Sequence, residues 1–335
     1  MKKLIMGVDV GKLKLDICVL DTSGFVCKDI IITNQYESII HEFNSLLNDF
    51  QVVKSDLLIS AEHTGKYTYP LCYACTELSL DLWLENPSQI KHSCGIHRGK
   101  NDKQDAYKIA GYALRYIDKF KVFQFSDHIV QTLKELISER SLYVADRAKY
   151  QAQLVDQQTY MPTAIYLQKK ERLQEIIHQL DTVIKDIEKQ MQVLIQTDPI
   201  LYNQFRLLCS VDGIGARTSL KMIVETNGFK DFTDPRKFCC HAGVAPFEQT
   251  SGSSMRTRSR VSHRADKSIK ALLHMAALCA ATKIEGELKE YYKHKINQEK
   301  NKMSVLNAVR AKLIHRMFAV IKRNEPYQKI HISLA

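Results

Sequence analysis

Over the first part of the chain, apolar residues come in short, nearly continuous runs. Leu4–Val10 is one such run and predicts a buried strand. Leu13–Leu20 follows the Gly11-Lys12 turn as a second strand, and Val26–Thr33 makes a third. Tyr36–Phe50 then changes period. Its Ile39, Ile40, Phe43, Leu46 and Leu47 fall at helical spacing. Asp56–Ser60 is a fourth strand leading into Ala61-Glu62-His63. Tyr67–Leu78 reads as helix, Leu80–Leu84 as strand, and Asp102–Tyr116 as helix.

The middle of the chain has a different pattern. Ile129, Leu133, Leu136, Arg140, Tyr143, Arg147, Tyr150 and Leu154 keep a 4-3 spacing. So do Leu173, Ile177, Leu180, Ile184, Ile187, Met191 and Leu194. Heptads of this kind predict a long coiled-coil helical hairpin, with Pro162 between its arms and Asp198-Pro199 ending the second. Arg140 and Arg147 interrupt the apolar seam of the first arm. From Tyr202 onward the chain reads as helices and loops. Residues 243–264 are polar and irregular, Ile269–Thr282 is an apolar helix, and Leu288–Lys322 is basic and helical. The expected class is α/β plus α. A mixed-sheet domain with the strand and helix order of a ribonuclease-H-like fold spans 1–125, the hairpin spans 126–200, and a mostly helical domain spans 201–335.

Charge sharpens this division. The 335 residues carry a net charge of +11. Residues 201–335 hold 24 Lys and Arg against 11 Asp and Glu, so the positive excess lies entirely in this last part. That asymmetry points to a polyanion, most often nucleic acid, although a basic solvated surface has the same composition. The longest apolar run is Met275–Ala281, too short for a membrane span. Nine scattered cysteines and an N-terminal apolar run broken by Asp9 are the pattern of a cytoplasmic protein.

Four carboxylates fall where such a fold gathers its acids. Asp9 follows the core of the first strand, and Glu62 follows the fourth. Asp102 and Asp105 lie at i,i+3 on one face of a helix start. Taken singly, each has an ordinary reading as a helix-start or turn residue, and Asp16 competes with Asp9. As a set they suit one or two Mg²⁺ ions, which bind hard oxygen ligands and can clamp both oxygens of a phosphodiester under attack.

The basic region offers two further candidates. Gly213-Ile214-Gly215 between two helices, followed by Arg217 and Lys221, has the form of a helix-hairpin-helix. Its backbone amides would approach a phosphate. Next, Thr250, Ser251, Ser253 and Ser254 surround Gly252 and run into Arg256, Arg258, Arg260 and Arg264. Guanidiniums stabilise charge developing on phosphorus, so any of these hydroxyls could be a nucleophile, or the loop could simply bind phosphate. The Cys72-x-x-Cys75 and His92-x-Cys94-x-x-His97 spacings resemble a zinc set, but Cys72 and Cys75 fall in an apolar helix and are set aside. The GVDVGK segment also has the look of an actin-like phosphate loop, but no second glycine-rich loop accompanies it.

Taken in order, GVDVGK, SAEHTGKY, KNDKQDAYKIA, LLCSVDGIGARTS, FKDF, HAGVAPFEQTSGSS and ELKEYYKHK resemble a known family. This family is the bridge-RNA-guided DNA recombinases of insertion sequences, transposases with a DEDD-type RuvC-like domain, to which the Piv-type DNA invertases are related. The resemblance covers nearly the whole chain. It implies that Asp9, Glu62, Asp102 and Asp105 are the metal-binding set and that Ser251 is the nucleophile of a covalent phosphoserine link to DNA. It further implies DNA and a structured guide RNA as partners, a dimer-to-tetramer assembly with shared active sites, and a cytoplasmic, nucleoid-associated protein. The alternative is a junction nuclease in which water attacks. After the Ser-Gly pair the sequence departs from the family pattern at Arg256-Thr257-Arg258, at His263-Arg264-Ala265 and at Lys270.

Overall fold

The structure is a computed structural model that describes residues 2–93, 101–125, 127–251, 255–261 and 265–328. The chain forms two compact units, 1–125 and 126–335.

The first unit runs β1 (Leu4–Val10), β2 (Lys14–Asp21), β3 (Val26–Thr33), α1 (Tyr36–Asp49), β4 (Leu57–Glu62), α2 (Tyr69–Glu77), β5 (Asp81–Glu85), α3 (Pro87–Ser93) and α4 (Asp102–Arg115). The sheet order is β3-β2-β1-β4-β5. β1 is antiparallel to β2 and parallel to β4, and β5 continues the parallel half. This five-stranded mixed sheet is consistent with the RuvC-like expectation.

β1 is central and covered on both sides, which explains its unbroken apolar run. Leu4, Met6, Val8 and Val10 face a cluster with Ile39, Phe43 and Leu46 of α1 and Leu71 and Ala74 of α2. Ile5 faces the other way, with Leu58, Trp83 and the α4 residues Ala106, Ile109, Ala110 and Ala113. The alternation follows from the two-residue period of a strand. α1 buries Ile39, Phe43, Leu46 and Leu47, the stripe its spacing predicts. Cys72 and Cys75 are buried in α2, where burial pushes the Cys72 thiol up to about 12 and the Cys75 thiol well above its ordinary value. They are core thiols. Cys94 and His97 lie outside the described residues.

The second unit begins with two long helices, α5 (His128–Asp156) and α6 (Thr163–Gln196), folded back on one another with Pro162 capping the second. The seam arginines find acids on the facing helix. Arg140 pairs with Glu188 at 2.6 Å and Arg147 with Asp181 at 2.6 Å. From the first pair to the second the numbering rises along α5, from 140 to 147, and falls along α6, from 188 to 181, as an antiparallel pair of helices requires. The root of this hairpin shares a core with the C-terminal helices. Val130 and Leu133 of α5 and Ile187, Met191 and Ile195 of α6 join the cluster of Leu208, Ile223, Phe238, Leu273 and Leu313.

Beyond the hairpin lie α7 (Pro199–Cys209), α8 (Ala216–Glu225), α9 (Pro235–His241), β6 (Pro246–Ser251), β7 (Met255–Val261), α10 (Lys267–Thr282), α11 (Glu287–Asn297) and α12 (Lys302–Arg323). Asp-Pro starts two of these helices. Asp198 accepts from the Ile200 and Leu201 amides, and Asp234 accepts from Arg236, with proline at the first helical position each time.

One expectation is overturned here. Residues 243–264, read as irregular, include an antiparallel hairpin, with Pro246 opposite Val261 and Ser251 opposite Met255. Its stabilising contacts are backbone hydrogen bonds, which leave no alternation of apolar residues in the sequence to detect. Among the described residues no helix is long and apolar enough to cross a membrane.

Candidate functional site

In the first unit, the face of the sheet that carries α4 gathers the acids. Odd-numbered positions of β1 point to that face, so Ile5, Gly7 and Asp9 lie in line. Leu58, Ser60 and Glu62 do the same on β4, with Gly7 opposite Ser60 and Val8 opposite Ala61 in parallel register. Asp9 and Glu62 therefore end adjacent strands side by side.

α4 settles on them because Gly7 has no side chain. A Cβ at Gly7 would lie 2.2 Å from the Ala106 carbonyl oxygen and 2.4 Å from the Ala110 nitrogen. The close approach brings the first turn of α4, with Asp102 and Asp105, over the ends of β1 and β4. Asn101 caps that turn, its side chain accepting from the Lys103 amide at 3.1 Å.

Electrostatics register the convergence. Burial lifts the Glu62 carboxyl above its ordinary 4.5, and the negative charges of Asp9 and then Asp105 lift it further, with Lys108 opposing. Lys108 is held by Asp105 at 2.7 Å. Asp102 lies 2.9 Å from the Lys14 ammonium, which also bridges buried Asp16 at 3.0 Å. Asp16 sits directly opposite Asp9 across the β1–β2 pair. Asp102 and Asp105 each lie against a lysine, Lys14 and Lys108, while the charges of Asp9 and Asp105 still raise Glu62.

A further acid joins this face. Glu85 ends β5 in register with Glu62, accepts from the Tyr112 hydroxyl at 3.1 Å and from the Asn86 amide at 2.7 Å. Burial, followed by the charge of Glu85, pushes Tyr112 up to about 12. The available signal was parity. Glu85 is two residues from Trp83, which lies in the α4-side cluster.

An all-oxygen set of this kind fits a divalent cation. A group whose folded pKa is raised stabilises the fold at low pH, and that contribution is lost as pH rises through the folded value. Glu62→Gln is accordingly expected to raise the melting temperature of metal-free protein at neutral pH and to leave it unchanged well below 4.5. Added divalent cation should stabilise the native chain more than the variant. Thermal unfolding with and without chelator checks both signs, and a destabilised variant at neutral pH would count against mutual repulsion in the set.

In the second unit, Gly215 caps α8 and is exposed, so the helix N-terminus is open. Gly213 has a local reason to be glycine. Its φ is +87°, and an added Cβ would lie 3.0 Å from the Ala276 carbonyl and 3.1 Å from Ala280 Cβ of α10. Arg217 lies within electrostatic reach of Arg140 and Glu188 of the α5–α6 hairpin. Lys221 is committed to Glu225 at 2.6 Å. Glu225 also takes His241 Nε2 at 3.1 Å. Burial would raise Glu225, but hydrogen bonds from His241 and Lys221 outweigh it and hold the carboxyl below its ordinary range.

Glu225, His241 and Asp266 place ligand atoms within 4.8 Å of one another. With Lys221 already on Glu225, the group acts as a polar staple. It ties α8 to the two ends of the β6–β7 hairpin, His241 preceding it and Asp266 following it. The Asp266 amide donates to the His241 carbonyl at 3.1 Å. None of this network was legible as a group in the sequence.

Ser251 is the last residue of β6. Arg256, Arg258 and Arg260 occupy alternate positions of β7. Gly252, Ser253, Ser254, His263 and Arg264 lie outside the described residues.

With this geometry in hand, comparison with known proteins is specific. A family model described as "Transposase", for DEDD transposases of the IS110 type, matches residues 6–159. A second, "Transposase IS116/IS110/IS902 family", matches residues 205–293. The pilin gene-inverting proteins of Moraxella lacunata and Moraxella bovis are each 24% identical over 332 residues, 98% of this chain and 99% of the relative. Both units are matched in the same chain and in the same order, the first spanning Asp9, Glu62, Asp102 and Asp105 and the second spanning Ser251. The chain therefore belongs to the IS110 and Piv-type family and is a DNA recombinase or transposase enzyme.

Proposed function

We propose that the protein is an RNA-guided, site-specific recombinase of an insertion sequence that cuts, exchanges and rejoins DNA strands through a phosphoserine at Ser251. The observation that supports the metal-dependent part of the reading is the gathering of Asp9, Glu62 and the first turn of α4 on the face where Gly7 lets α4 dock, with Glu62 raised by its neighbours. The phosphoserine at Ser251 follows the family resemblance. Carboxylates held in mutual repulsion are a site arranged for cations. Asp9, Glu62, Asp102 and Asp105 would hold Mg²⁺, which when bound would polarise the phosphate and stabilise charge on its oxygens.

Ser251 then has a defined task. Its Oγ forms a bond to phosphorus as the P–O bond to one deoxyribose oxygen breaks. The serine proton leaves to solvent, and the departing oxygen gains a proton to become a hydroxyl. A hydroxyl from another strand reverses the step, so a phosphodiester is conserved and ATP is not needed. Arg256, Arg258, Arg260 and Arg264, with Gly252, would hold the phosphates around it. The open α8 terminus at Gly213-Ile214-Gly215, with Arg217, would hold backbone further along. Guide RNA and a dimer-to-tetramer assembly enter through the sequence resemblance. Transposition by the family and inversion by the Moraxella relatives are both forms of this chemistry.

The test is direct. The protein is incubated with DNA carrying the element ends and Mg²⁺, denatured in SDS, and digested. The expected result is a DNA adduct on the peptide containing Ser251, lost with chelator. Metal-dependent cleavage with free 5′ and 3′ ends and no adduct would instead establish the junction-nuclease alternative, with water as nucleophile.

A further inference from the structure

Arg310 of α12 is 6% exposed, yet no carboxylate pairs with it among the described residues. Its Nη1 donates to Asn307 Oδ1 at 3.2 Å, and its Nη2 lies 2.7 Å from His274 Nδ1 of α10. Its Nε is buried with no hydrogen-bond partner. A guanidinium has five N–H donors and no acceptor. Two are taken by neutral groups, and among the described residues no acid answers the positive charge. Burying an ion in this way is unfavourable unless a counter-charge completes the site.

His274 supports the same conclusion. Since Arg310 can only donate, His274 Nδ1 must accept, which places the imidazole proton on Nε2 as a second donor. Burial and the Arg310 charge both hold His274 below its ordinary value, so the ring stays neutral.

The location links the pair to the hairpin. Asn307 Nδ2 donates to the Val244 carbonyl at 2.6 Å, two residues before β6 begins. Arg310 thus sits in the α10–α12 pair at the foot of the strand that ends in Ser251. Five residues of strand, at about 3.3 Å each, separate Pro246 from Ser251. The site therefore serves a phosphate distant from the one attacked.

We propose that Arg310 and His274 form a binding site for a backbone phosphate of nucleic acid, anchoring the strand at the base of the hairpin. The inference rests on the reading of this unit as nucleic-acid binding and is independent of the phosphoserine step.

The test compares the full chain with Arg310→Met and Arg310→Gln. In chloride, Arg310→Met should unfold at or above the native temperature, because it removes an unanswered charge and keeps the volume. Replacing chloride by inorganic phosphate at matched ionic strength should stabilise the native chain more than either variant, beyond the general stabilisation by phosphate that all three share. With duplex DNA and with structured RNA as separate probes, Arg310→Gln should weaken binding about tenfold and lower the salt slope by about one on the nucleic acid that uses the site.

A destabilised Arg310→Met in chloride, an equal phosphate response in all three proteins, or unchanged slopes on both nucleic acids would each overturn the proposal. Ser251→Ala serves as the separating control. It should keep the phosphate response and the slope whether or not the serine is the nucleophile.

Discussion

Ser251→Ala is expected to abolish the covalent DNA adduct and to lower strand exchange by on the order of a thousandfold or more, the scale on which removing a nucleophile acts. Binding of DNA should persist, because the hydroxyl is one small group beside a strand that carries Arg256, Arg258 and Arg260. Alanine at Thr250 or Ser253 should retain the adduct, which separates the nucleophile from its neighbours. The measurement is SDS-stable adduct and recombinant product on element-end DNA, with binding followed in parallel. A Ser251→Ala protein that still cleaves at the native rate would transfer the reaction to water and leave the hairpin as a binding element only. Ser251 terminates β6, opposite Met255, so its backbone is positioned by pairing with β7. The two ends of the hairpin are tied together through the backbone of His241 and Asp266.

The second large effect is expected from a methyl group. Gly7→Ala puts a Cβ within 2.2 Å of the Ala106 carbonyl oxygen and 2.8 Å of the Ala110 Cβ. Backbone atoms are involved, so no rotamer change relieves the contact, and β1 or α4 must move. Overpacking at a buried contact costs about 1–3 kcal/mol, and the upper part of that range is expected here. The functional loss should be larger than the stability loss. α4 carries Asp102 and Asp105, and a shift of about 1 Å at a reacting centre can cost a hundredfold in rate.

Denaturant unfolding and strand cleavage, measured on the same preparation, check the two parts. If Gly7→Ala is as stable as the native protein and as active, α4 is not seated through Gly7. A variant that is folded, metal-responsive and slow would show that the distance between helix and strands is the sensitive quantity.

How much of the fold and site was legible depends on the range of each interaction. The strands of the first unit were readable because β1 and β4 are buried on both faces and must be apolar throughout. The four acids were readable as a set only because their places along the chain matched a known order of elements. Asp16 was visible as a competitor, and the structure buries it opposite Asp9 with Lys14 as a bridge to Asp102. Glu85 was missed, since its one signal, parity with Trp83 two residues earlier, places it on a face only once the face that Trp83 joins is known. The β6–β7 hairpin was missed because backbone pairing of polar residues carries no hydropathy period. Lys221 was grouped with phosphate ligands on its charge, and its partner Glu225, one helical turn away, was not considered.

The sequence by itself determined the local quantities: strand and helix periods, the order of the four carboxylates, and the concentration of positive charge after residue 200. Each depends on neighbours within a few positions, so the chain records it directly. Tertiary structure alone decided which groups share a face and which charges are answered. Gly7 matters because α4, some hundred residues later, lands on it. Lys14 answers Asp102, and Glu225 answers Lys221 and His241, while Arg310 is buried beside His274 with no acid to answer it among the described residues. Packing brings together residues far apart in the chain, and the cost of burying a charge depends on what packing places beside it.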